Sequence, residues 1–109
     1  MEPEQGQPAP DAEYVLHLYI AGATPNSAQA VRNLHDICQR YLPGRCEVQI
    51  VDIYQQPELA RQQRIVAAPT LVKKEPGLMR YLVGDLSDRR RVLNVLGLKP
   101  DPNDPYLHD

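Results

Sequence analysis

Two spacings of apolar residues divide the chain. The run "YVLHLYIA" (14–21) is apolar at nearly every position, rich in Val, Ile and Tyr, and of strand length, which predicts a central buried strand. The spacing then lengthens to that of a helix. Val31, Leu34, Ile37 or Cys38, and Tyr41 form one apolar stripe over 25–42, with Thr24 as N-cap, Pro25 in the first helical position and Pro43-Gly44 as the stop. Alternation returns in "CEVQIVDI" (46–53), a second strand. A short helix from Pro57 (57–66) follows, then a strand over 69–74, an "EPG" turn (75–77) and a strand over 78–84 that closes a hairpin. The last helix (85–97) carries Leu86, Val92, Leu93, Val95 and Leu96, with Asp85 or Ser87 as cap and Gly97 just past its end.

Strand, crossover helix, strand is a parallel βαβ unit. With the hairpin and final helix, the order becomes βαβαββα, an α/β arrangement with a mixed sheet of thioredoxin-like type. Pro69 in "AAPTL" opens the third strand facing the start of the first helix, where thioredoxin folds place a cis-proline. Residues 1–12, rich in Pro, Gln and Glu, are expected to be a disordered tail. The domain then covers 13–98, and the three prolines of "KPDPNDPYLHD" make 99–109 a loose, non-helical tail.

At 109 residues the chain forms one small domain. It contains no Phe or Trp, so Leu, Val, Ile, Ala and six Tyr must build a thin core, one that oligomerisation would support. A net charge of −2 gives no electrostatic reason for a nucleic-acid or anionic-membrane partner. No apolar run approaches the ~20 residues of a membrane span. The first residues lack a signal-peptide core, so a cytoplasmic protein is expected.

Catalytic parts are missing. In thioredoxins a Cys-x-x-Cys occupies the joint between first strand and first helix, where the helix N-terminus favours a thiolate. Here the joint reads Thr24, Pro25, Asn26, Ser27. Ser27 has no base nearby in sequence and suits capping. Cys38 and Cys46, eight positions apart, match neither a redox pair nor a zinc half-site; they read as small apolar groups, with a regulatory disulfide as the other reading. His17, His35 and His108 have no metal-ligand spacing. No metal, cofactor or enzymatic activity is therefore expected. "RRR" (89–91) reads first as a solvated helix face, second as a contact for an anion or acidic partner. The segment after the second strand, with Asp52, Tyr54, Pro57 and Glu58, is either a plain connection or a loop-borne binding surface.

The segments "YVLHLYIAGATPNSAQAV", "VDIYQQPELARQQRIVAAPTL" and "YLVGDLSDRRRVL" together resemble the KaiB family of cyanobacterial clock proteins and their bacterial homologues, over about 13–98. The resemblance implies a non-catalytic regulator that binds a KaiC-type ATPase ring and alters its phosphorylation state. It also implies links to KaiA or a SasA-like histidine kinase, and a dimer or tetramer in the ground form. The family further implies an alternative fold, βαββααβ, reached by refolding of the C-terminal half. Two such packings coexist only when they differ by a few kcal/mol. Carried onto this chain, the partner-binding positions are Tyr14, Asp52, Ile53, Tyr54, Pro57, Glu58 and Arg80, and the positions bearing on the fold switch are Pro69, Pro76, Val95 and Gly97.

The chain departs from the family in having only "EPG" where a proline run is usual, and Gln29, Gln49 and Gln55 where basic residues are usual. A family Gly-x-Asp aligns with Val95-Leu96-Gly97, and Val costs a helix a few tenths of a kcal/mol less than Gly, which favours the thioredoxin-like arrangement. Two other functions stay open on the residues alone: a thioredoxin-like redox protein using Cys38 or Cys46, and a stand-alone sensor module for another signalling protein.

Overall fold

The computed structural model describes residues 12–107. The proposed N-terminal tail, apart from Ala12, lies outside the described residues, as do His108 and Asp109. The elements are β1 (Tyr14–Ile20), α1 (Pro25–Tyr41), β2 (Cys46–Asp52), α2 (Pro57–Gln62), β3 (Thr70–Glu75), β4 (Arg80–Val83) and α3 (Arg89–Leu96). They form one four-stranded sheet in the order β2-β1-β3-β4. β1 runs parallel to β2 and antiparallel to β3, and β3 and β4 pair as an antiparallel hairpin. This is the thioredoxin-like βαβαββα order with a mixed sheet.

The two faces of the sheet are covered unequally. Leu16, Leu18, Leu71 and Leu82 pack with Ala30, Leu34 and Ile37 of α1 and with Val92, Leu93, Val95 and Leu96 of α3. Leucine supplies the bulk that Phe would otherwise give. On the other face the apolar cluster of Tyr19, Val51, Val72 and Ala60 is smaller, because α2 is short. α2 ends at Gln62 rather than running to 66. Arg64 takes a left-handed φ of 57°, and the Ile65 N–H donates back to the Ala60 carbonyl at 2.9 Å while its side chain packs against that smaller cluster.

Local signals explain most helix ends. The Thr24 side chain accepts from the Ser27 N–H, with Pro25 in the first turn. Gly97, in the left-handed region at φ 72°, ends α3 as glycine does best. The expected cap of α3 is corrected: Asp88, not Asp85 or Ser87, accepts from the Arg91 N–H, so the helix starts later. Asp85 instead accepts from Ser87 N–H in the preceding turn. Strand β4 starts at Arg80 rather than 78, because the Lys73 ammonium donates to the carbonyls of Pro76 and Leu78 and holds a wide turn open. The Ala68–Pro69 bond is cis, as its position implied, and so is Glu75–Pro76.

Two surface expectations are overturned. Arg89, expected on a solvated face, is buried and donates to Asp36 at 3.0 Å and to Asp104 at 3.1 Å, with its guanidinium 4.8 Å from the Tyr106 ring centre. Asp104 is buried as well and accepts from the Tyr41 hydroxyl at 2.8 Å. The segment after α3 is non-helical, as its prolines require, but it is packed across α1 and α3 rather than loose. Burial pushes the Asp104 carboxyl up; the bonds from the Tyr106 N–H and Tyr41, with Arg89 and Arg40, outweigh it and hold the group below the ordinary Asp range.

Candidate functional site

Three loops meet at the end of the sheet where β1 and β2 finish. The chain leaves β1 through Ala21, Gly22 and Ala23, and leaves β2 through Ile53, Tyr54, Gln55 and Gln56. The Ile53 N–H donates to the Ile20 carbonyl at 2.9 Å, so parallel pairing extends into the loop. Asp52 then organises it. Its Oδ1 accepts from the N–H groups of Tyr54 at 2.9 Å and Gly22 at 3.3 Å, while its carbonyl accepts from Gln55 and Gln56. Gly22 has φ 60°, which an L side chain adopts only with strain, and a Cβ there would stand 3.6 Å from the Tyr54 ring. The third loop, 65–68, arrives at the same end because Tyr19 pairs with Thr70, which puts Pro69 beside the end of β1.

The outer surface of this end carries large exposed side chains. Tyr54 is 73% exposed and Val66 is 95% exposed, with Thr24, Pro25, Asn26, Pro57 and Glu58 exposed around them. Large exposed apolar side chains next to a rigid scaffold are the usual material of recognition surfaces. Ser27 faces inward: it is buried, and its hydroxyl accepts from the Ala21 N–H at 3.1 Å. It secures the loop.

The structure divides the sequence-derived positions into two groups. Asp52 and Ile53 hold the β2 loop from within, and Tyr54, Pro57 and Glu58 lie on its surface. Tyr14 and Arg80 lie at the opposite end of the sheet, about 20 Å away for a seven-residue strand. Tyr14 is only 6% exposed and its hydroxyl donates to the Leu96 carbonyl at 2.9 Å; burial, then Glu13, pushes its pKa up. It offers no surface in this arrangement. Arg80 is exposed and lines a hollow with Tyr14, Lys73, Pro76, Val95 and Gly97. Three of the four switch positions thus gather around Tyr14, while Pro69 belongs to the loop end.

Sequence reasoning missed Val66, Lys73 and the Arg89–Asp104 pair. Val66 had a weak signal, an apolar residue outside any periodic stripe just before "AAP"; the other two had none, since only the tertiary fold brings their partners. Cys38 and Cys46, read as buried apolar groups, are half-buried, and their Sγ atoms are 3.0 Å apart. Among the described residues, no group of three or more His, Cys, Asp or Glu side chains is arranged to hold a metal ion, and no helix is long and apolar enough to cross a membrane.

Fold and site together define a thioredoxin-like fold in which the joint between β1 and α1 is a capped, exposed turn at Thr24 and Pro25. Residues 17–98 match the KaiB domain, and the chain belongs to the KaiB family. It is 44% identical over 90 residues to the circadian clock oscillator protein KaiB of Prochlorococcus marinus strain MIT 9211, covering 83% of this chain and 79% of that one. With the protein of the same name from Acaryochloris marina strain MBIC 11017 the identity is 46% over 85 residues, 78% and 82% of the two chains. Among solved structures, the N-terminal domain of Synechococcus elongatus SasA superposes with a TM-score of 0.66 at 25% identity, over 93% of this chain and 95% of that one. The thioredoxin Deadhead of Drosophila melanogaster gives 0.65 at 15% identity, over 80% and 81%, a likeness of fold alone.

Proposed function

We propose that this chain is a non-catalytic clock-type regulator that docks on a KaiC-type ATPase ring and shifts its phosphorylation state. The observation that carries the reading is the rebuilt loop end: Asp52 fixes two loops so that Tyr54 stands exposed over Gly22, where a redox thioredoxin would present its cysteines. A rigid loop bearing an exposed aromatic loses little freedom on binding, which suits recognition better than chemistry. The names of the relatives support clock regulation, and the likeness to the SasA domain supports a docking surface shared with a SasA-like histidine kinase pathway. KaiA is a further partner under this reading, as is self-association into dimers or tetramers in a soluble cytoplasmic setting.

Refolding of the C-terminal half to βαββααβ belongs to the same proposal. Val95, Gly97, Pro76 and Tyr14 meet at one hollow, where any change in α3 is felt by β1. A phosphorylation assay tests the function. Addition of the chain to a phosphorylated KaiC-type ATPase with ATP speeds dephosphorylation, followed by gel mobility. An unchanged phosphorylation time course overturns the proposal.

A further inference from the structure

Cys38 lies in the last turn of α1 and Cys46 opens β2, so the two thiols face each other across the 42–45 turn, a reversal that no spacing motif encodes. Both are free, both are half-buried, and the 3.0 Å between their Sγ atoms is about 1 Å more than an S–S bond. A hollow of about 490 Å3 open to solvent is lined by both, together with His35, Gln39, Leu42, Pro43 and Gly44, and gives a small oxidant access. We propose that Cys38 and Cys46 form a reversible dithiol–disulfide modification site whose oxidant is a peroxide. This goes beyond the docking function and does not rest on it: Asp52 ends the strand that Cys46 begins, so Tyr54 lies about 20 Å from the thiols.

The two sulfurs share one hydrogen bond in which either can donate. With Cys38 as donor, the bond draws the Cys46 thiol down against burial and Glu47, and the same bond, then burial, pushes Cys38 up. Cys46 is then the attacking thiolate. Its sulfur bonds to one peroxide oxygen, the O–O bond breaks and hydroxide leaves, giving a sulfenic acid at Cys46. The Cys38 sulfur then attacks the sulfenic sulfur. The S–O bond breaks as the S–S bond forms, and the departing hydroxyl takes the Cys38 proton as water. Two thiol sulfurs have each lost one electron, and the peroxide has become hydroxide and water. The bond ties the end of α1 to the start of β2 and stiffens the N-terminal βαβ unit.

The test uses the full-length chain, reduced with dithiothreitol, freed of reductant and treated with equimolar hydrogen peroxide. Titratable thiols fall from two to zero, the intact mass drops by about 2 Da, and the thermal midpoint rises by roughly 10 °C. Dithiothreitol reverses all three. Peptide mapping of the wild-type chain finds residues 38 and 46 in one cross-linked fragment, a readout independent of any variant. In Cys38→Ser a sulfenic acid persists at Cys46, and in Cys46→Ser at Cys38, each trapped by dimedone because the resolving thiol is gone. Survival of both thiols, mass gain without cross-linking, or a disulfide-linked dimer overturns the proposal.

Discussion

The Gly22 N–H donates to Asp52 Oδ1 at 3.3 Å, joining two loops thirty residues apart in sequence at the end of the parallel strands. The same oxygen accepts from Tyr54 N–H, so one carboxylate sets the loop that carries the exposed ring. Asp52→Ala removes an acceptor from two backbone donors and is expected to cost about 1–2 kcal/mol in urea unfolding. Partner affinity falls with it. Asp52→Asn keeps the acceptor oxygen and restores most of both, a contrast that a change of charge alone does not produce.

Tyr54→Ala separates binding from stability. A ring that is mostly in solvent contributes little to folding, so the unfolding free energy stays within about 0.5 kcal/mol of wild type. Its loss from the proposed docking end weakens partner binding by about tenfold or more, as measured by calorimetry or interferometry. A fully buried anchor gives the reverse pattern.

Val95→Gly bears on the arrangement itself. Helix propensity alone predicts a few tenths of a kcal/mol, but Val95 is only 8% exposed and packs in the main core. Lost burial raises the expected cost of the thioredoxin-like arrangement to about 2–3 kcal/mol. Amide exchange in α3 and β4 is then faster, and the alternative arrangement gains population by NMR. An unchanged exchange pattern counts against Val95 as a determinant.

Acid tests the segment packed over α1 and α3. The Asp104 carboxyl is held below the ordinary Asp range, so its stabilisation is complete above the unfolded-state pKa and is lost as pH falls through the lower folded value. Stability therefore declines below about pH 4. Asp104→Asn lowers stability at pH 7 by about 3 kcal/mol, since among the described residues Arg89 is left buried with Asp36 as its one carboxylate partner. It also flattens the acid slope. Asp85, drawn down first by its side-chain bond with Ser87, is also held below the ordinary Asp range and leaves part of that slope in place.

Periodicity and punctuation made the fold legible. Thr24-Pro25, Pro43-Gly44 and Gly97 mark helix ends through local backbone chemistry, so residues adjacent in sequence carry the whole signal. The short α2 and late α3 were not legible: Arg64 in the left-handed region and Asp88 as cap are chosen by where Ile65 and Leu86 must pack. The candidate site was half legible. Positions 52–58 run continuously from the end of β2 into the first turn of α2, whereas Tyr14 and Arg80 are joined to them only by family pattern, and the sheet sets them at the far end. The Arg89–Asp104 pair and the facing thiols depend on contacts between elements, which no local pattern records.

Size-exclusion chromatography of the full-length chain with a KaiC-type ATPase hexamer and ATP tests the docking claim most directly. The wild-type chain co-elutes with the hexamer, and Tyr54→Ala, folded to the same stability, stays in its own peak. Co-elution of Tyr54→Ala at wild-type level, or no co-elution of the wild-type chain, contradicts the account.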